Sequence, residues 1–251
     1  MLEGQDKRSP AYGIATRSSL AGTRLACLSG EERRTLEAAA SPVRPFRAGT
    51  DLIREGGLTN RLYIVARGWA YRFKTTRGGS RQIVALLVPG DIANLDSLML
   101  DRPDYGVRAL TAAELVAIPR ERALALAGEH AGIAKALARL AMVENANLSQ
   151  WALCLGRHSA QQRIAHLLCE LSARVTGSSE DPSSFELPMT QEQIADTVGL
   201  TPVHVNRTMQ QLRSDGLIVT AGRSIMFPDA ARLREVGEFD SAYLHIDNVG
   251  V

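Results

Sequence analysis

The 251-residue sequence predicts an α+β fold built in three successive parts. Three observations carry that prediction. Between Val43 and Ile118, glycines punctuate short β-prone runs at Gly49, Gly56-Gly57, Gly68, Gly78-Gly79 and Gly90, a spacing of roughly 8–12 residues. From about Ala131 to Leu155 runs an unbroken stretch with apolar residues at helical spacing. From Thr190 to Ile218, caps, a glycine and a proline fall where two short helices and a tight turn need them. The implied boundaries are a tail over 1–20, a β-rich domain over 21–128, a long helix over 129–156, a small helical domain over 157–236 and a second tail over 237–251.

In the β-rich part, Leu62 to Ala66 reads as one strand. Trp69, Tyr71 and Phe73 alternate along the next, which ends at Gly78-Gly79. Gln82 to Val88 is nearly all apolar, so it is expected to be buried on both faces. Pro89-Gly90-Asp91 turns the chain, and Val107–Leu110 and Leu115–Ile118 complete the set. The pattern suits a barrel or sandwich. No Ser/His/Asp, paired-carboxylate or phosphate-loop pattern stands out, so no enzyme is expected. The histidines His130, His158, His166, His204 and His245 are scattered singly, and no metal site is expected.

In the long helix, Ile133, Leu137, Leu140, Asn147 and Trp151 follow a 4-3 spacing with Glu144 in one slot. A second register uses Leu137, Ala141, Leu148, Trp151 and Leu155. Both are heptad-like and both stay open. A seam between two copies is the expected use, with Ile133, Leu137, Leu140, Asn147, Leu148 and Trp151 as candidate interface residues; a helix buried in its own chain is the alternative. Gly156 marks a hinge. A helix resumes over Ser159 to Arg174 with Ile164, Leu167, Leu168 and Leu171 inward, and Thr176 to Pro188 reads as loop.

Thr190 and Gln193 make a capping box, and Ile194 and Val198 share a face one turn apart. Gly199 ends that helix; Thr201 caps the next, with Pro202 at its favoured first position. At 100° per residue, Val205, Met209 and Leu212 form an inward stripe. The opposite face carries Val203, Arg207 and Gln210, flanked by His204, Asn206 and Gln211. Arg207 can bond guanine bidentately, and Asn206 or Gln210 can do the same to adenine. This is a helix-turn-helix with a face suited to base edges in double-stranded DNA. Two β-prone runs, Leu217–Thr220 and Ser224–Phe227, flank Ala221-Gly222-Arg223 as a wing, with Arg223 placed for a phosphate. The candidate DNA-binding residues are Thr190, Gln191, Thr201, Val203, His204, Asn206, Arg207, Gln210 and Arg223.

Composition bounds this reading. Net charge is +2, and between Thr190 and Pro228 the cations Arg207, Arg213 and Arg223 balance Glu192, Asp196 and Asp215. Affinity then depends on where charges point and on two copies binding together. There is no run long enough to span a membrane and no hydrophobic signal core, so a cytoplasmic protein is expected. Cys27, Cys154 and Cys169 are far apart and fit a reducing compartment; Cys154 and Cys169 read as packing residues.

The order of parts resembles the Crp/Fnr family of bacterial transcription regulators over roughly Leu25 to Arg234. The resemblance rests on Gly49-(x6)-Gly56, Pro89-Gly90-Asp91, Gly156-Arg157-(x5)-Arg163-Ile164-Ala165, Thr190-Gln-Glu-Gln-Ile-Ala and Val205-Asn206-Arg207. It implies a double-stranded β-helix (jelly-roll) of the cyclic-nucleotide-binding type, a dimerisation helix and a C-terminal winged helix-turn-helix. It further implies a homodimer on two-fold-symmetric, TGA-containing promoter sites, acting through RNA polymerase, with Arg207 at the family's guanine-contacting position.

Departures from the family pattern shape the remaining expectations. Where cyclic-nucleotide binders carry Gly-Glu and then Arg-Ser or Arg-Thr, this chain has Leu95 at the Glu position and Arg102-Pro-Asp-Tyr-Gly later, so cyclic AMP is not expected. Cys27 alone is too few ligands for an N-terminal iron-sulphur cluster, and the roll has no His or Cys for haem. Val203 replaces the Fnr-type glutamate and Asn206 a small residue, which leaves the full operator open. The effector is unassigned. A ligand- or protein-binding module with vestigial DNA binding is the alternative function.

Overall fold

The computed structural model describes residues 25, 28–177 and 184–246. The expected tail over 1–20, Cys27 and part of the Thr176–Pro188 loop lie outside them. A capped helix α1 (Gly30–Ala38) leads into a roll of two antiparallel sheets. One sheet orders β1 (Arg44–Phe46), β7 (Ala113–Pro119) and β3 (Arg61–Arg67); the other orders β2 (Asp51–Ile53), β6 (Gly106–Ala109), β4 (Ala70–Thr75) and β5 (Arg81–Leu87). Every expected strand is present. Gly68, between β3 and β4, has φ +71°, and a Cβ there would sit 2.1 Å from the Ala112 carbonyl oxygen, so only glycine fits. β5 departs from the expectation of full burial. Val84 and Ala85 are half-buried because they line a cavity against the long helix.

After α2 (Arg120–Glu129) comes the long helix α3 (Ala131–Arg157). It runs through Gly156, and the break falls at His158, where the backbone turns extended (ψ 146°). Ser159 then caps α4 (Ala160–Thr176) with a full capping box, and Gly177 closes it in the left-handed conformation. The C-terminal domain follows as β8 (Ser184–Glu186), α5 (Gln191–Val198), α6 (Pro202–Ser214), β9 (Val219–Ala221), β10 (Ser224–Met226) and α7 (Ala230–Val236). β8 makes the wing three-stranded, pairing Phe185 with Ile225, where the sequence reads only as loop.

Residues 237–246 are not a loose tail. Leu244 is buried, and Phe239 and Tyr243 pack their rings on His166. The two domains also share one apolar cluster. Trp69, Tyr71, Ile83 and Leu86 of the roll join Ile164, Leu168, Val205 and Leu212 in it. Arg174, at the end of α4, bonds the Leu86 carbonyl (2.7 Å), Asp91 (2.7 Å) and Glu170 (3.2 Å), which ties α4 to the roll. No described helix is long and apolar enough to cross a membrane.

Candidate DNA interface

The turn is built as the sequence anticipates. The Thr190 hydroxyl accepts from the Gln193 amide (3.2 Å), and Gln193 Oε1 accepts from the Thr190 amide (2.9 Å). Gly199 takes φ +65°, which a side chain would strain. The Thr201 hydroxyl accepts from the His204 amide (3.3 Å), and Pro202 occupies the first turn of α6. Val205, Met209 and Leu212 are buried, joined by Thr208. The opposite face stands open. Val203 is 72% exposed, His204, Arg207 and Gln210 are exposed, and Asn206 is half-buried on the flank. Thr190, Gln191 and Thr201 are exposed at the starts of α5 and α6, where free backbone amides suit phosphates. Arg223 is exposed in the β9–β10 turn beside Gly222 (φ +61°).

The α3 residues divide differently from the expectation. Ile133 and Leu140 are buried against the roll in the chain's own core. Trp151 donates from Nε1 to Glu170 (2.8 Å), and Asn147 lines the open cavity between roll and helix; both are half-buried. Ile133 and Leu140 are buried within the chain, so they are not available as a seam. Leu137 is half-buried at the edge, and Leu148 is exposed. A second row carries Ala134, Ala138, Ala141, Asn145, Leu148, Ala152 and Leu155, all half-buried or exposed, with Leu148 lining the same cavity as Asn147 and Leu155 lying against Gly199. They repeat at strict 4-3 spacing. That heptad is visible in the sequence, but its small residues weigh little beside the larger inward stripe.

Glu144 holds Arg72, a buried arginine on β4 that no sequence signal marks. Arg72 gives Glu144 two bonds (2.9 and 3.1 Å) and two more to the Ala93 and Ile92 carbonyls. Burial opposes its charge, yet Glu144 beside it holds the guanidinium above its ordinary value. The cavity between roll and helix has a volume of about 430 Å³. Its cations are all engaged: Arg72 by Glu144, Arg174 by Asp91 and Glu170, Lys74 by Asp104. Leu95, at the family's Glu position, is buried in the apolar cluster under the roll.

Cys154 and Cys169 are free thiols, and burial pushes them up to about 11 and about 12. The histidines are less scattered than their spacing suggests. The end of α3 and the second turn of α4 bring His158 and His166 together beside Cys154, all three buried.

Comparison with known proteins agrees with this architecture. Residues 43–130 match the cyclic nucleotide-binding domain and residues 162–236 the Crp-like helix-turn-helix domain. The chain is 31% identical over 216 residues to the transcriptional activator protein FnrL of Cereibacter sphaeroides, covering 84% of this chain and 86% of that one. It is 28% identical over 193 residues to the nitrogen fixation regulation protein FixK of Azorhizobium caulinodans, covering 76% and 77%. The solved structure of FixK2 from Bradyrhizobium japonicum superposes with a TM-score of 0.73 at 26% identity, covering 78% of this chain and 96% of that one. A β-roll, a long helix and a capped helix-turn-helix, shared with such relatives along most of their length, place the chain in the Crp/Fnr family of transcription regulators.

Proposed function

We propose that the chain is a homodimeric regulator that reads a two-fold-symmetric DNA site with α6. One observation carries this reading. The outer face of α6 presents His204, Arg207 and Gln210 to solvent on a helix whose other face is locked into the core. Among the described residues, no hydrogen bond or ion pair engages the Arg207 side chain. Such a face has no structural employment, and its donors and acceptors match base edges in the major groove.

In this reading Arg207 bonds guanine, Asn206 and Gln210 read neighbouring pairs, and Val203 touches a thymine methyl. Thr190, Gln191, Thr201 and Arg223 fix the docking on phosphates. The seam is this second row of α3, with Leu148 and Leu155 as its large residues and Asn145 as a polar register-setting position. Alanine at the remaining positions lets the two helices approach closely. Pairing the helices sets two α6 copies on half-sites about 34 Å apart. FnrL is a transcriptional activator, which favours activation for this chain too, with RNA polymerase as the partner that the family resemblance implies. This reading does not assign cyclic AMP as the effector, since the buried cations of the cavity, Arg72 and Arg174, are each paired with carboxylates.

Genome-wide binding-site mapping with the wild type and Arg207→Ala tests the reading. A shared inverted-repeat motif that the variant loses supports it. Equal occupancy by both proteins, or none by the wild type, rejects it.

A further inference from the structure

We propose that Cys154, His158 and His166 form a site for one zinc-class divalent cation at the joint between α3 and α4. One donor atom from each residue lies within 4.8 Å of the other two, and all three residues are buried. A tetrahedral zinc site has bonds of about 2.0–2.3 Å, which puts donors roughly 3.3–3.6 Å apart. Side-chain rotation closes that difference. Sulphur with two imidazoles is a donor set that selects zinc and its transition-metal neighbours over calcium or magnesium.

Two features beyond proximity point to a ligand. The first is His158. Its side chain is 5% exposed, and its Nδ1 is buried with no hydrogen-bond partner. Such an atom is costly to leave unmet. Its other nitrogen, Nε2, faces Glu238 Oε2 at 3.6 Å. A carboxylate behind one ring nitrogen, with the other aimed inward, is the arrangement of a metal-bound histidine.

The second is His166. Its Nδ1 lies 3.0 Å from the Gly237 carbonyl oxygen, which can only accept. The proton therefore sits on Nδ1, and Nε2 carries the lone pair. Tyr243 Oη is 3.0 Å from that Nε2 and 2.8 Å from Glu170 Oε2. A metal at Nε2 takes the place that the Tyr243 hydroxyl holds beside it, and the Tyr243 proton then stays with Glu170.

The spacing explains how the site forms. Cys154 and His158 are four apart at the last turn of α3, so they share a face. Ser159 restarts the helix, and His166 comes round nearly two turns later. Cys154 binds as thiolate and releases its proton on loading. The bound ion joins the dimer helix to the DNA-reading domain and fixes the angle between them. This reverses the expectation, drawn from the sequence, that no metal is held, and it does not depend on the DNA-binding reading.

The test titrates the full-length, metal-free protein with Co2+ as the spectroscopic probe, followed by Zn2+. The expected result is one Co2+ per protomer, with a thiolate-to-cobalt charge-transfer band and tetrahedral ligand-field bands that Zn2+ abolishes. Cys154→Ser removes the charge-transfer band, and His158→Gln weakens Co2+ binding at least tenfold. Cys169→Ser, outside the cluster, keeps both. Zn2+ loading also slows amide exchange over residues 156–162. Circular dichroism of each variant shows that it is folded before titration. No charge-transfer band with the wild type, or one that survives in folded Cys154→Ser, overturns the proposal. So does unaltered affinity in folded His158→Gln.

Discussion

Arg81 of the roll and Asp196 of α5 meet at 2.6 Å, so the first helix of the DNA-reading unit is pinned to strand β5. Arg81 also lies 3.6 Å from Glu192, and Gln82 donates to the Thr197 carbonyl at 3.1 Å. Both partners of the main pair are about one-fifth exposed, so the interaction is neither fully screened nor fully desolvated. A double-mutant cycle with Arg81→Ala and Asp196→Ala is expected to give a coupling of about 1 kcal/mol in urea unfolding. Perfect additivity of the two variants would show that the contact carries no energy between domains.

Arg207 and Arg223 are both exposed cations, yet their positions assign them different work. Arg207 is on the face of α6 that would meet bases, so Arg207→Ala should cost about 1–3 kcal/mol and relax one base position. Arg223 is at the wing tip, so Arg223→Ala should weaken all sites alike and lower the salt slope by about 1 per bound wing. Binding measured on wild-type and single-base-altered operators across a salt series separates the two. Identical profiles for both variants would refute the division.

Val203 is 72% exposed at the start of α6, on the same open face as Arg207 and Gln210. Val203→Glu would exchange a methyl contact for an acceptor that cytosine N4 can satisfy. The substitution touches no buried neighbour, so stability should stay within about 0.5 kcal/mol. Selection from a randomised half-site should move one position from T·A toward C·G. If the preferred site does not change, Val203 does not face a base.

What the sequence made legible follows from the range of the interactions involved. Capping is local, so Thr190, Gly199, Thr201 and Pro202 declared both helices and the turn between them. Strand existence was equally local, written in the glycines and the Trp69-Tyr71-Phe73 alternation. Partnership was not. Arg72 and Glu144 are 72 positions apart, and nothing near either one announces the other. Ile133 and Leu140 carry the right periodicity for a seam, but periodicity marks a buried face without saying what buries it. The Cys154, His158 and His166 cluster was hidden because the turn at His158 decides whether α4 folds back onto the end of α3.

The two faces of α3 therefore predict opposite phenotypes. Leu148, 51% exposed, lies in the second row, and Leu148→Glu should place like charges across a two-fold seam. Sedimentation should then show a monomer whose Tm no longer depends on protein concentration. Ile133, 1% exposed, is in the core beneath the roll. Ile133→Ala should cost about 2–5 kcal/mol of stability and leave the oligomeric state alone near neutral pH. A dimeric Leu148→Glu protein would exclude the second row as the seam.

Arg72 and Glu144 join the roll to that same helix, and their burial is unequal. The arginine side chain is 10% exposed and the glutamate side chain 29%. Removing Glu144 leaves a guanidinium that still has the Ile92 and Ala93 carbonyls but no counter-charge. Removing Arg72 leaves a carboxylate that can turn toward solvent. Glu144→Ala should therefore destabilise more than Arg72→Met, by about 2–4 kcal/mol against about 1–2, since an uncompensated buried charge costs more than a lost pair. Replacing both with Met and Leu should recover part of the Glu144→Ala loss, because neither charge is then stranded. Urea unfolding of the three proteins measures the order, and a double variant less stable than Glu144→Ala alone would mean that the pair supplies net stability rather than mutual neutralisation.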